Sequence, residues 1–96
     1  MKQFFVYILA SKRNGTLYVG SMDDLAKRVW QHKEKSFEGF TSQYGVDRLV
    51  WCEPHDSRVA AFTRERQIKE WKRAWKIELI EKENPEWDDL YETLNQ

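Results

Sequence analysis

Three short apolar runs in the first 55 positions of the chain are typical of β-strands. The first run is aromatic and β-branched and is apolar on both faces, as a buried central strand requires. Asn14 and Gly15 tolerate a positive φ and separate this run from the second, which predicts an antiparallel hairpin. Pro54 follows the third run and is expected to end that strand, because proline cannot donate to a ladder. The predicted strands are residues 3–10, 16–20 and 48–53.

The other periodic segments have helical spacing. Ser21 and Asp24 have the spacing of a capping box, and the early acidic residues favour a helix start there. After Pro54, a stretch without Pro or Gly is too long for a typical single helix, so we expect a bend near residues 70–72. The predicted helical segments are residues 23–35 and, beginning at Asp56 or Ser57, the stretch up to Asn84. The expected fold is therefore α+β: a small three-stranded sheet with an antiparallel hairpin, flanked by helices, in the order β-β-α-β-α-α.

The length of 96 residues is that of one small domain, and we predict a single domain over residues 1–96. Residues 36–45 are aromatic, small and polar, which indicates an ordered loop held by its aromatic side chains. From about residue 85 the chain forms an acidic tail that keeps enough apolar side chains to dock on the domain. The expected anchors are Phe37, Phe40 and Tyr44 in the loop and Trp87, Leu90, Tyr91 and Leu94 in the tail.

The composition excludes several classes of protein. Hydrophobic residues make up 41% and aromatic residues 15% of the chain, which is too apolar for a disordered protein. The single cysteine, Cys52, excludes an internal disulfide framework and a Cys-rich zinc site, and it favours a reducing compartment. The longest apolar run, residues 4–10, is far shorter than the roughly 20 residues of a membrane-spanning helix. We therefore expect a cytoplasmic protein with no membrane association and no disulfide-linked partner.

The 16 basic and 16 acidic residues cancel, but they are unevenly distributed. Residues 58–76 carry seven basic and two acidic side chains, a net charge of +5, whereas residues 77–96 carry one and seven, a net charge of −6. The basic segment either contacts phosphates or is a solvated face balanced by the acidic tail, and charge alone does not decide. The candidate phosphate contacts are Arg58, Arg64, Arg66, Lys69, Lys72, Arg73 and Lys76.

On the first predicted helix, Arg28 and His32 share one stripe with Leu25 and Val29, at the spacing of a core-facing surface. Burying an unpaired guanidinium is costly. The stripe therefore either lets a long basic side chain snorkel past Leu25 or directs both polar groups into a cleft at the edge of the sheet.

On the second helix, Glu65 lies on one stripe with Ala61, Phe62 and Ile68. One interpretation is an ordinary surface pair with Lys69, four residues later. The other is a carboxylate ligand for a divalent ion, because Mg²⁺ commonly takes one or two protein carboxylates and keeps waters that meet a phosphate. The stripe has no second carboxylate at the spacing of a metal pair, which indicates one ion.

Tyr7 and Tyr18 lie on the two hairpin strands and would be cross-strand neighbours if the turn closes the register. Two adjacent phenols are either core packing with satisfied hydroxyl groups or part of a reaction site. Cys52 with His55 is a weaker candidate for thiol catalysis, because a strand cysteine is usually inert packing and no orienting acid is evident nearby.

These residues together resemble the GIY-YIG nuclease superfamily, and within it the small single-domain bacterial proteins. The similarity covers nearly the whole chain. Its segments are Val6-Tyr7-Ile8, Leu17-Tyr18-Val19-Gly20-Ser21, Asp24-Leu25-Ala26-Lys27-Arg28 with His32, Phe40-Thr41 with Tyr44-Gly45, Arg64-Glu65-Arg66-Gln67-Ile68-Lys69 and Asn84-Pro85-Glu86-Trp87. Phe5 replaces the glycine of the first family motif, and Met22 replaces a small hydroxyl residue. Asn84 lies in the region of a late family asparagine, but Pro85 makes a helix-ending turn the simpler interpretation, so we leave it out of the predicted site.

The resemblance implies metal-dependent, endonuclease-type hydrolysis of nucleic-acid phosphodiesters, with DNA as the partner and a role in DNA repair or processing. It implies one Mg²⁺ ion, with Mn²⁺ as an alternative. The implied site residues are the motif tyrosines Tyr7 and Tyr18, the essential arginine Arg28, the histidine His32 one turn later, and the metal carboxylate Glu65. In this hypothesis Tyr7, with Tyr18 or His32, orients or deprotonates the attacking water, and Arg28 stabilises the phosphate charge.

Two other functions stay open at this point. The first is a nucleic-acid-binding module of the same fold that does not cleave. The second is a protein-interaction domain in which Trp71, Trp75 and Trp87 form an exposed apolar surface. It is the less favoured of the two, because aromatic residues at helical spacing usually belong to the core.

Overall fold

The structure is a computed structural model that describes residues 3–34 and 44–95. Its three strands form one antiparallel sheet in the order β2-β1-β3, so the first strand is central. The elements in chain order are β1 (Phe4–Ala10), β2 (Leu17–Met22), α1 (Leu25–Lys33), β3 (Arg48–His55), α2 (Arg58–Glu70), α3 (Arg73–Glu83) and a C-terminal 3₁₀ helix (Leu90–Asn95). The predicted α+β class and the order β-β-α-β-α-α are therefore confirmed.

The central strand β1 contributes to two separate hydrophobic clusters, one on each face of the sheet. Val6, Ile8 and Ala10 belong to the cluster formed with α2 and α3. Tyr7 and Leu9 belong to the cluster formed with α1 and the C-terminal 3₁₀ helix. This explains why the sequence of β1 is apolar without alternation: both of its faces are covered.

The third strand is longer than predicted. It continues through Pro54 to His55, because β3 is an edge strand whose outer side needs no ladder hydrogen bond from the proline. A β-bulge interrupts its pairing with β1, so that Trp51 lies opposite Ile8 and Leu49 opposite Leu9. The bulge lets the two adjacent residues Val50 and Trp51 both pack in the cluster under α2 and α3.

The first helix begins later than predicted. Asp24 is its N-cap and accepts a hydrogen bond from the backbone N–H of Lys27 at 3.2 Å. The predicted capping role of Ser21 is wrong, because β2 extends to Met22 and includes this serine. Ser21 is thereby available to contact another element, which matters for the site described below.

The bend between the last two helices is confirmed. The helix α2 ends at Glu70, and Trp71 and Lys72 have extended backbone before α3 begins at Arg73. Ser57, one of the two predicted caps, accepts a hydrogen bond from the backbone N–H of Ala60 at 3.1 Å.

The acidic tail docks on the domain as predicted. Trp87 is fully buried, and its indole Nε1 donates to Glu81 Oε2 at 2.7 Å. Beyond it, Asp89 forms an ion pair with Lys33 and accepts a hydrogen bond from the backbone N–H of Leu49 at 3.2 Å. The apolar residues of the 3₁₀ helix pack on the cluster that contains α1. They are Leu90, Tyr91 and Leu94.

The predicted loop is only partly described. Its anchors Phe37 and Phe40, the Thr41 that follows, and the predicted helix end at Lys35 lie outside the described residues. Tyr44 is exposed rather than an anchor. Among the described residues, no helix is both long enough and apolar enough to span a membrane.

Candidate active site

The predicted site residues come from β1, β2, α1 and α2, and they surround the outer strand β2. The two motif tyrosines are not directly opposite each other, because Tyr7 pairs with Gly20 and Tyr18 pairs with Leu9. They are diagonal neighbours, whose ring centroids are 6.3 Å apart with an angle of 40° between the planes. This separation is within reach of aromatic side chains across a strand pair.

The ring of Tyr7 lies across the α-carbon of Gly20. A β-carbon added at Gly20 would lie 2.5 Å from Tyr7 Oη and 2.6 Å from Tyr7 Cζ. Atoms this close overlap, so glycine is the residue that allows the phenol to cross β2 toward the edge of the sheet. In the sequence, Gly20 stands out only as part of a motif. The space that it leaves for the ring of Tyr7 follows from the strand register, which pairs Tyr7 with Gly20.

The hydroxyl of Tyr7 is held in its neutral form. Burial and the neighbouring Tyr18 raise the pKa of the Tyr7 phenol far above its ordinary value. The positive charge of Arg28 opposes this rise, and the negative charge of Glu65 adds to it. Arg28 and Glu65, on helices that cover opposite faces of the sheet, are therefore both close enough to Tyr7 to act on the same hydroxyl.

The predicted stripe of α1 faces the site. Leu25, Val29 and His32 are buried, and Arg28 is half-buried with its Nη2 3.4 Å from the sulfur of Met22. The Met22 that departs from the family pattern therefore lies against the predicted catalytic guanidinium. It does not displace Arg28 from the predicted stripe.

The ring of His32 lies near that of the second tyrosine, with 5.7 Å between its centroid and that of Tyr18 and an angle of 52° between the planes. Burial, followed by the positive charge of Arg28, lowers the pKa of His32, while Asp47 acts in the opposite direction. The imidazole is therefore neutral at pH 7 and one of its ring nitrogens is able to accept a proton.

Glu65 lies on the inner face of α2 and is only 8% exposed. Its Oε1 accepts a hydrogen bond from Ser21 on β2, and its Oε2 is 2.6 Å from Lys69 Nζ. The predicted pair with Lys69 is therefore present, although Glu65 is buried rather than on an ordinary surface, and its role as a metal ligand stays a prediction. The predicted stripe is wrong at Phe62, which points outward and is 51% exposed.

The donor set at Glu65 suits one hydrated divalent ion. Within residues 3–34 and 44–95, no three His, Cys, Asp or Glu side chains are grouped so that they could hold a metal ion together. Mg²⁺ keeps several waters and commonly binds through one or two carboxylates together with substrate phosphates. Glu65 fits that pattern, and Ser21 fixes its carboxylate in place, as outer hydrogen bonds commonly do for metal ligands.

Ser21 is the site residue that the sequence analysis missed. Its signal was present, because the second motif ends at Ser21, but the capping-box spacing assigned the serine to a helix start. With β2 extended to Met22, Ser21 lies opposite Val6 and reaches Glu65 on α2.

Asn84 is a structural residue. Its side-chain nitrogen donates to the backbone oxygens of Val50 and Asp88 at 3.0 and 2.9 Å, and its oxygen accepts from the Asp88 N–H at 3.0 Å. These bonds hold the turn after α3 against β3, in agreement with the interpretation as a helix-ending turn.

The proposed thiol pair has no catalytic geometry. Burial raises the pKa of the Cys52 thiol, which makes it less reactive. His55 is hydrogen-bonded instead to Glu53, with 2.8 Å between His55 Nε2 and Glu53 Oε1.

The protein-interaction alternative predicted an exposed surface that includes Trp87. This part of the prediction is wrong, because Trp87 is fully buried.

Comparison with known proteins supports the assignment from the motifs. The family model described as the GIY-YIG catalytic domain matches residues 3–78. A UPF0213 protein of Syntrophus aciditrophicus is 37% identical over 87 residues, which cover 90% of this chain and 98% of that protein. A UPF0213 protein of Staphylococcus saprophyticus is 32% identical over 80 residues, covering 83% of this chain and 96% of that protein.

A solved structure has the same fold. The solution NMR structure of a UPF0213 protein from Bacillus halodurans superimposes with a TM-score of 0.56 at 25% identity, over 91% of this chain and 92% of that one. The motifs, the element order and these matches agree over most of the chain. This chain belongs to the GIY-YIG family, among the UPF0213 proteins of bacteria.

Proposed function

We propose that this protein is a metal-dependent endonuclease that hydrolyses phosphodiester bonds in DNA, with branched or damaged DNA of repair and processing as its substrates. The observation that carries the proposal is the crossing of Gly20 by Tyr7, which brings its phenol under the influence of both Arg28 and Glu65. The assigned catalytic residues are Tyr7, Tyr18, Arg28 and His32, and the assigned metal ligand is Glu65.

The protonation states of Tyr7 and His32 indicate a different role for each residue. Tyr7 is a neutral phenol at pH 7, so it orients the attacking water by hydrogen bonding and is a poor base. His32 is neutral and lies against Tyr18, so its imidazole accepts the proton that the water loses. Of the two roles that the sequence hypothesis gave to Tyr7, orienting the water is the one assigned here, because burial raises the pKa of Tyr7 more than Arg28 lowers it.

The charge that develops on the phosphate is met by Arg28. Its guanidinium presents a fork of donors suited to two non-bridging oxygens, and donors fixed before the reaction typically contribute several kcal/mol. A divalent ion, Mg²⁺ or Mn²⁺, on Glu65 would supply Lewis-acid stabilisation of the leaving oxygen. Ser21 positions the Glu65 carboxylate and leaves its second oxygen facing the half-exposed Lys69.

The test is cleavage of branched, duplex and single-stranded DNA, and of RNA of the same sequence, with Mg²⁺, with Mn²⁺ and with EDTA. We expect metal-dependent nicking that Glu65→Gln abolishes. The matched control is Glu70→Gln on the same helix, which removes an exposed carboxylate and should leave cleavage unchanged. Full activity of Glu65→Gln, or equal cleavage in EDTA, would contradict the proposal.

One observation favours the non-cleaving alternative. Lys69 Nζ already contacts Glu65 Oε2 at 2.6 Å, so an ammonium group occupies part of the place where a metal ion would bind. If this pair persists when DNA binds, the protein holds DNA without cutting it. Binding that is indifferent to Mg²⁺, with no nicking in any of the substrates above, would support this module over the enzyme.

A further inference from the structure

A second surface feature lies beyond the end of α2, away from the groups assigned to catalysis. It is a groove of about 340 Å³, in which the rings of Trp71 and Trp75 meet edge to face, with centroids 6.3 Å apart and planes at 79°. Trp75 is 51% exposed, although tryptophan is a large apolar residue that small domains usually bury. The groove is lined by Trp71, Trp75, Glu78, Leu79 and Lys82.

Cationic side chains accompany both indole rings. Lys72 Nζ lies 5.6 Å from the centroid of Trp75, and Arg64 Cζ lies 5.3 Å from that of Trp71. A third cation, Lys82, lines the groove itself. Exposed aromatic faces beside Lys and Arg are the combination that binds single-stranded nucleic acid, because each base stacks on a ring while the cations meet its phosphates.

The charge of the surrounding segment favours the same ligand. Residues 58–76, which include both tryptophans and Lys72, carry a net charge of +5, which is complementary to a phosphate backbone, and the lining residues beyond them, Glu78 and Lys82, add one charge of each sign. The acidic residue of the groove, Glu78, has a carboxylate that only accepts hydrogen bonds. Such a group suits the exocyclic amino group of a base better than a phosphate.

The groove is fixed relative to the catalytic groups. Arg73 Nη2 donates to the backbone oxygens of Asn14 and Gly15 at 2.7 and 2.6 Å, which ties the start of α3 to the hairpin turn. The groove therefore keeps a fixed position relative to β1 and β2, which carry the two motif tyrosines.

We propose that the Trp71–Trp75 groove binds an unpaired base of a single-stranded segment of nucleic acid. This deepens the proposed function, on which it rests for the nature of the ligand, because it makes the substrate one that has unpaired nucleotides. Trp75 is the stacking platform, and Lys72 and Lys82 contact the flanking phosphates.

The test measures binding without cleavage, by fluorescence anisotropy of a labelled 12-nucleotide single strand in EDTA. We expect Trp75→Ala to weaken binding roughly 10-fold, within the 5- to 150-fold range that corresponds to one stacked base. Trp75→Tyr should retain most of the affinity, because tyrosine also stacks. The matched control is Trp30→Ala, which removes from α1 an indole that is 50% exposed, nearly the same exposure as that of Trp75. This variant should bind the single strand as tightly as the unchanged protein does.

Two further ligands distinguish base stacking on Trp75 from the electrostatic attraction of phosphates. A blunt duplex of the same sequence and inorganic polyphosphate have no unpaired base, so Trp75→Ala should change their binding by less than about 2-fold. Equal losses for all three ligands, or no loss for the single strand, would overturn the proposal. Tighter Trp75-dependent binding of polyglutamate than of the single strand would also overturn it, in favour of an acidic protein partner. Because these measurements use no metal, their failure is distinguishable from a failure of Glu65-dependent cleavage.

Discussion

Replacing Gly20 with alanine should damage both the stability of the protein and its site, because of one steric conflict. The new β-carbon would lie 2.5 Å from Tyr7 Oη, 2.6 Å from Tyr7 Cζ and 3.1 Å from Tyr18 Cε2. Tyr7 is only 2% exposed and packs in a cluster with Leu25 and Val29, so its ring has little room to move away. The strand or the phenol must shift.

The size of the effect follows from two opposing contributions. Inserting a methyl group into a well-packed region costs typically about 1–3 kcal/mol. Alanine in a strand gains roughly 0.5–1 kcal/mol over glycine, because it loses less conformational freedom on folding. Distances this short place the first contribution in the upper half of its range, about 2–3 kcal/mol, so the net loss is about 1–2.5 kcal/mol, or roughly 4–20 °C in Tm for a domain of this size. A displacement of Tyr7 by about 1 Å should reduce cleavage by roughly 100-fold.

A double-mutant cycle attributes the loss to the contact with Tyr7. Urea denaturation would be measured for Gly20→Ala in the native background and in a Tyr7→Leu background, where both clashing atoms of the phenol are absent. We expect the alanine to cost about 1–2.5 kcal/mol in the first background, whereas in the second it should be neutral or stabilising by up to about 1 kcal/mol. An equal cost in both backgrounds would refute the reasoning, since it would show that the ring of Tyr7 is not what the glycine accommodates.

Two further predictions concern His32 and Asn84. Because burial and Arg28 lower the pKa of His32, its contribution to stability is fully present above its ordinary pKa of about 6.5 and is lost as the pH falls from there through the lower pKa of the folded state. The urea midpoint should therefore fall more between pH 7 and pH 5 for the unchanged protein than for His32→Gln, and equal falls would contradict the assignment. Asn84→Ala removes three hydrogen bonds to backbone groups and should lower the free energy of unfolding by about 1–3 kcal/mol in the same assay. Cleavage by this variant should keep its metal requirement, whereas loss of that requirement would place Asn84 in the site.

The parts of the fold that depend on local pattern were predictable. The apolar sequence of β1 indicates a strand covered on both faces, and the extent of the helical segment after Ser57 indicates a bend at Trp71 and Lys72. The continuation of β3 through Pro54 was not predictable in the same way. Whether a proline ends a strand depends on whether that strand is at the edge of the sheet, and strand order is not a local property.

The site was predictable where helix spacing alone decides the geometry. Arg28 and His32 face the site because they share a stripe with Leu25 and Val29. The partners of Glu65 could be found only in part: Lys69 follows from its spacing on the same helix, whereas Ser21 is 44 residues away on β2. The contact of Ser21 with Glu65 depends on how α2 lies on the sheet. The position of Ser21 three residues before Asp24 also matched the spacing of a capping box, which predicted a different role for the serine.

The ion pairs of the acidic tail bear on a question that composition left open, namely whether the tail neutralises the basic segment 58–76. In the described part of the chain, the tail's side-chain ion pairs go elsewhere: Glu86 pairs with Arg13, and Asp89 pairs with Lys33. The tail is thus bound to the hairpin turn and to α1. Among the described residues, neither of these two ion pairs involves the basic segment, so its predicted contacts with phosphates stay open. Binding to nucleic acid should therefore weaken steeply with salt despite a net charge of zero.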